Sequence, residues 1–277
     1  NHLIMATTQK KQSPKKQGFT GIRSGLTVII CCLIIAICIF KIVFGAPENF
    51  VGGDSNNAVL NGNLLGTIYK GGVVVPIIQT LLLTVIALSI ERFFALRTAF
   101  GKGSLVRFVK NIKAALEAND LAKAQEICNK QRGSVANVVI STLQKYDEME
   151  KDTNLTKEQK LIAIQQALDE TTALELPTLQ MNLPIIATIV TLGTLTGLLG
   201  TVTGMIKSFA ALAAGGGGDS LQLSTGISEA LINTAFGILT GAFAVISYNY
   251  FTNKIDKLTF SLDEVGFSIV QTFAATH

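Results

Sequence analysis

Four apolar stretches in this chain are each long enough to cross about 30 Å of hydrocarbon, a crossing that takes about 20 helical residues. The first lies between Arg23 and Lys41 around LTVIICCLIIAICIF. The second lies between Lys70 and Glu91 and reads GGVVVPIIQTLLLTVIALSI. The third runs from Pro184 to Ala214 and the fourth from Gly226 to Phe251. Composition agrees: 48% of the 277 residues are hydrophobic and only 15% are charged, against about 25% charged in a soluble domain. The chain therefore reads as an all-α, multi-pass transmembrane bundle. Disorder, a collagen-like repeat and a nucleic-acid-binding domain are excluded.

The first stretch follows a basic segment, so a cleaved leader is the alternative reading. Its apolar core is longer than a leader's, and no A-x-A site follows. We read it as a retained helix over 26–44.

Lysine and arginine set the orientation. Residues 1–25 hold five basic side chains (Lys10, Lys11, Lys15, Lys16, Arg23) and no acidic one. The 45–71 loop holds only Lys70, while residues 97–182 hold twelve basic residues. The short GGGGDS loop within 215–225 has none, and the tail over 252–277 has Lys254 and Lys257. This alternation predicts a cytoplasmic N-tail (1–25), a periplasmic loop (45–71) and a span over 72–95. It then predicts a cytoplasmic region (97–182), spans over 184–214 and 226–251, and a cytoplasmic C-terminal tail.

The 97–182 region has helical periodicity. One helix is expected over Leu105–Ala118, a second from Asn119–Asp120 and a third from near Ser134. Thr156 and Gln159 form a capping-box pattern that opens a long helix. That helix is expected to bend near Pro177 and Pro184 and to continue into the third span. No strand-like segment or internal repeat is visible.

The last two spans carry stripes of small residues. Gly193, Gly197, Gly200 and Gly204 share one helix face, and so do Ala230, Thr234, Gly237, Gly241 and Ala244. Small faces let membrane helices approach closely, so packing is the first role these glycines suggest. Thr201 and Thr234 lie on the same faces. Each hydroxyl can bond back to its own helix, or the two can line a polar path. No carboxylate of this chain lies deep in a span: Glu91 is at the inner end of the second and Glu229 near the outer end of the fourth. Lys207 and Glu229, at similar depth across a short turn, form a candidate ion pair.

No GxSxG, HExxH or P-loop pattern and no pair of membrane aspartates appear, so an enzyme is not expected. Four cysteines without a CxxC pair, and only His2 and His277, give no basis for a metal site, a disulfide framework or a cofactor. The thiols are expected only to pack.

Two segments carry a resemblance. Gly-Leu-Leu-Gly-Thr-Val-Thr-Gly-Met-Ile (197–206) and Gly-Ile-Ser-Glu-Ala-Leu-Ile-Asn-Thr-Ala-Phe-Gly (226–237) are similar to the signature of the ExbB/TolQ/MotA proton-channel family, most closely its ExbB branch. The order of elements over 70–260 fits too, while the helix over 26–44 departs from the family's three-span pattern. The resemblance implies a homopentameric inner-membrane motor subunit around an ExbD-like single-span partner. That partner brings a membrane aspartate, and the assembly energises a TonB-like protein. It also implies that Thr201, Thr234 and Glu229 face the proton path. The chain's own copies and membrane lipids are further expected partners; a TolQ- or MotA-like stator is the alternative, as is a non-conducting membrane scaffold.

Overall fold

A computed structural model describes residues 24–60, 62–214 and 220–276 of the chain. The expectations for residues 1–23 and for the GGGGDS turn lie outside the described residues. Among the described residues nine α-helices occur and no strand; an isolated bridge pairs Phe50 with Val59. The helices are α1 (Gly25–Cys38), α2 (Leu64–Tyr69), α3 (Val74–Phe100), α4 (Leu105–Glu117), α5 (Leu121–Gln131), α6 (Gly133–Lys151), α7 (Lys157–Gln180), α8 (Leu183–Ala214) and α9 (Ser220–Thr276). Four helical stretches are long and apolar enough to cross a membrane, beginning at Gly25, Val74, Lys157 and Leu223. The all-α, multi-pass architecture is thus the observed one. The chain divides into two compact units.

The first unit comprises residues 95–179 and 256–276 of the described chain. Its core is built from one face of each helix. Phe108, Ile112 and Leu116 of α4 are buried, as are Val135, Val139 and Leu143 of α6 and Leu258, Leu262 and Ile269 of α9. Tyr146 meets Phe273 edge to face at 4.9 Å between ring centres, the arrangement that aromatic quadrupoles favour. Gly266 leaves room for the Leu168 side chain. At the rim Lys113 pairs with Glu264 at 2.5 Å.

Local sequence explains the helix starts in this unit. Asp120 caps α5 by accepting from the Lys123 amide at 2.9 Å. Thr156 and Gln159 form the expected reciprocal box. The Gln159 amide donates to Thr156 Oγ1 at 3.3 Å, and the Thr156 amide donates to Gln159 Oε1 at 3.0 Å. Two amides left over at the helix start are thereby satisfied. Cys128 is fully buried, and burial pushes its thiol up to about 12. At the exposed end of α5, the Lys130 ammonium hydrogen-bonds Glu126 and holds its carboxyl below the usual range.

The second unit comprises residues 24–94 and 180–255. The helix is interrupted near Pro184, as expected, but not at Pro177. Pro177 lies inside α7, and the helix runs past it to Gln180. The stop falls at Asn182, which takes a left-handed φ of 66°. Pro184 is the second residue of α8, where its missing N–H costs nothing. Residues 252–276 continue α9 without a break.

α1 buries only small side chains, Gly25, Cys32 and Ala36, and exposes Ile30, Ile34 and Ile35. Of the four thiols Cys32 and Cys128 pack, whereas Cys31 and Cys38 are exposed. The chain then widens into a π-helical turn, Ile39–Phe44. Its end is closed by the Asn49 side chain, which donates to the Val43 and Phe44 carbonyls at 2.8 and 3.0 Å. Asn63 donates in turn to Asn49 Oδ1 at 2.9 Å and caps α2. Tyr69 stacks on Phe40 at 4.7 Å and meets Phe50 edge-on at 5.5 Å. Lys70 Nζ donates to the Ser55 and Asn56 carbonyls. The 45–70 segment is therefore a folded cap joined to α1.

Candidate functional site

The two small-residue stripes face each other within one chain. A Cβ on Gly193 would lie 3.1 Å from Thr240 Cγ2, and one on Gly197 would lie 3.0 Å from both Asn233 O and Gly237 Cα. A Cβ on Gly200 would lie 2.7 Å from Asn233 Cγ, and one on Gly204 would lie 2.8 Å from Gly226 O. The other helix gives the same picture. A Cβ on Gly237 would lie 2.7 Å from both Gly193 O and Gly197 Cα, and one on Gly241 would lie 2.8 Å from Thr194 Oγ1. A side chain at any of these glycines but Gly200 would meet backbone of the other helix, and one at Gly200 would meet the Asn233 side chain, so α8 and α9 touch where their sequences are smallest. Ala230 and Ala244 are buried at the same seam.

Thr201 and Thr234 meet at the edge of this seam with their hydroxyl oxygens 3.0 Å apart. Each also reaches its own helix: Thr201 Oγ1 lies 3.3 Å from Gly197 O and Thr234 Oγ1 lies 3.1 Å from Ala230 O. A hydroxyl has one proton to donate, so at most two of these three bonds exist at once. Either threonine can donate to the other while its partner donates backwards. Both threonines are half-buried, and Thr201 borders an apolar surface groove with Val202, Met205, Ile206 and Phe209 of its own helix.

Lys207 and Glu229 form an ion pair, Nζ to Oε1 2.6 Å. The carboxylate side chain is only 7% exposed, whereas the lysine is 58% exposed. Glu229 is deeper in its helix than the sequence suggests. α9 begins at Ser220, so nine residues, or about 13 Å, precede Glu229. The helix-end dipole fades within a turn, which leaves Lys207 as its charged partner.

Two features were not anticipated. Asn233, one turn beyond Glu229, is completely buried. Its Nδ2 donates to the Gly71 carbonyl at 2.9 Å, and its Oδ1 has no hydrogen-bond partner among the described residues. The signal was present, because an asparagine inside a small-residue stripe is out of place unless it is bonded. The second feature is at the other end of α3. Glu91 and Arg92 form an ion pair with both side chains buried, and Asn182 Nδ2 donates to Glu91 Oε2 at 3.3 Å. Sequence alone marked Glu91 only as the end of a span.

No group of three or more metal-ligating side chains exists among the described residues.

Comparison with known proteins identifies the class. The profile of the MotA/TolQ/ExbB proton channel family matches residues 133–264. Putative biopolymer transport protein ExbB-like 1 of Synechocystis is 35% identical over 192 residues, 67% of this chain and 69% of that protein. The Tol-Pal system protein TolQ of Pseudomonas aeruginosa is 26% identical over 194 residues, covering 66% of this chain and 81% of its own. Biopolymer transport protein ExbB of Salmonella typhimurium is 33% identical over 85 residues, 31% of this chain and 35% of its own. The chain belongs to the MotA/TolQ/ExbB proton channel family and is a multi-pass membrane protein.

Proposed function

We propose that this chain is an ExbB-type motor subunit of a bacterial inner membrane, driven by the proton-motive force. In this reading it forms a homopentamer around the single transmembrane helix of an ExbD-like partner. The partner's membrane aspartate takes up and releases protons, and the assembly energises a TonB-like protein. Thr201, Thr234 and Glu229 line the path, and both termini and the 97–182 region face the cytoplasm.

The observation that carries the reading is the Thr201–Thr234 hydroxyl pair, 3.0 Å apart and half-buried between the two small-residue helices. Two hydroxyls with interchangeable donors can relay a proton or bind a water. They cannot store charge, so a carboxyl must take up the proton, and in this reading it is the partner's membrane aspartate. A TolQ-like load rests on the same physics, and the long alignment with TolQ supports keeping it as the second reading.

The test is complementation of a strain that lacks this chain. Uptake dependent on the proton-motive force should return only when a single-span partner with its membrane aspartate is co-expressed. Glu229→Ala should impair it more than Lys207→Ala. Full uptake without the partner would overturn the proposal. Orientation is tested separately: a periplasm-active reporter should work when fused at Asp219 and stay silent at Glu150.

A further inference from the structure

The turn that leads into α3 is held by α9 at two points. Asn233 Nδ2 donates to the carbonyl of Gly71 at 2.9 Å. The next residue, Gly72, has a left-handed φ of 74°. A Cβ on Gly72 would lie 2.5 Å from Glu229 Oε1 and 3.5 Å from Lys207 Nζ. The bare backbone of Gly72 is thus one wall of the space that holds the Glu229 carboxylate. Asn233 and Glu229 are four residues apart, on one face of α9. The asparagine grips the turn, and the turn borders the glutamate.

The Asn233 amide is an expensive way to fill the space beside Gly200. One of its two halves is used; the other is a buried acceptor without a partner, a cost of order 1–3 kcal/mol. A leucine of similar shape would carry no such penalty. What the amide supplies that a leucine does not is the bond to Gly71. The charged side chain facing Glu229 is Lys207. No other charged residue lies within a turn on α9, and Lys70, which precedes the turn, is engaged by Ser55 and Asn56.

We propose that Asn233 is a positioning residue for Glu229: by tying the Gly71–Gly72 turn to α9 it fixes where the carboxylate sits against Lys207. The proposal rests on the reading that Glu229 borders the proton path, and it adds a residue outside the hydroxyl pair. Asn233 touches no proton in transit and acts only through the turn.

The experiment follows Glu229 itself. The full-length complex in native membranes is treated with dicyclohexylcarbodiimide, which labels protonated carboxyls in apolar surroundings. Labelling of Glu229 is then read by mass spectrometry across pH. In Asn233→Leu and Asn233→Ala the labelling midpoint should move by about one pH unit, a tenfold change in proton affinity. Gly72→Ala, which leaves Asn233 in place but crowds the carboxylate, should move it as well. Gly241→Ala loosens the same helix pair away from the turn and should leave the midpoint alone. Superimposable profiles for all the Asn233 and Gly72 variants would overturn the proposal. So would an equal shift in Gly241→Ala, since general loosening would then be the cause. Full proton-driven work by Glu229→Gln would instead remove the path reading and leave the labelling result standing.

Discussion

Thr201 and Thr234, thirty-three residues apart in sequence, share a hydrogen bond at 3.0 Å while each keeps a carbonyl of its own helix in reach. The two readings of such threonines, self-bonded or path-lining, are therefore compatible in one geometry. Replacing both by valine preserves shape and removes the hydroxyls. We expect complexes of normal size on native gels and at least a tenfold loss of work driven by the proton-motive force, equivalent to about 1.4 kcal/mol. Near-normal work in the double variant would favour the scaffold reading.

The glycine seam predicts a different failure. Gly200→Leu and Gly237→Leu place a branched side chain where a single Cβ already meets Asn233 Cγ or Gly197 Cα at 2.7 Å. Overpacking of this kind costs about 1–3 kcal/mol or more. The contact lies between α8 and α9 of one chain, so the loss should appear as reduced folded protein before it appears as altered conduction. Thermal unfolding in detergent measures it. Variants with wild-type melting but lower conduction would contradict this account.

A buried pair should be harder to break than to replace. Glu91→Ala leaves Arg92, which is fully buried, without its carboxylate, and should destabilise the protein by about 3–5 kcal/mol. Changing Glu91 and Arg92 together to leucine should recover much of that loss. A double-mutant cycle by chemical denaturation gives the coupling. Additive effects would show that the two side chains do not depend on each other.

Cys128 gives a prediction tied to pH. Its thiol is pushed up to about 12 by burial, from an ordinary value near 9.0. The folded state thus keeps a proton that the unfolded state releases above pH 9. The stabilisation is complete below pH 9 and is lost as pH rises from about 9 towards 12. At pH 8 a water-soluble maleimide should leave Cys128 unmodified in native protein and label it once denaturant unfolds that region. Rapid labelling of the native protein would refute the burial argument.

The four spans were legible because lipid demands long apolar runs, and the LTVIICCLIIAICIF and GGVVVPIIQT segments satisfy that demand by composition alone. Thr156 and Gln159 were legible because a capping box is a local pattern. Asn182 was not. The bend was expected near Pro177 and Pro184; it falls near Pro184 only, Pro177 is absorbed in α7, and a left-handed asparagine ends the helix. Conformation at one residue decided the matter, and no pattern announces it. The start of the last helix was placed at Gly226, whereas α9 begins at Ser220, six residues earlier. The tie between Asn233 and Gly71 joins residues 162 apart, and periodicity carries no information at that range.

The hydrogen bond from Asn233 also sets a boundary for anyone trimming this chain. The family profile begins only at residue 133, which invites removal of everything before α3 as an accessory. The folded cap over 45–70 is built largely from its own contacts, but the next two residues belong to α9 as much as to the loop. A truncation that starts at Gly71 keeps the acceptor for Asn233 and the glycine wall beside Glu229. One that starts at Val74 removes both, and leaves a buried amide facing nothing. A boundary drawn by hydrogen bonding to α9 therefore falls between Lys70 and Gly71, one peptide bond wide.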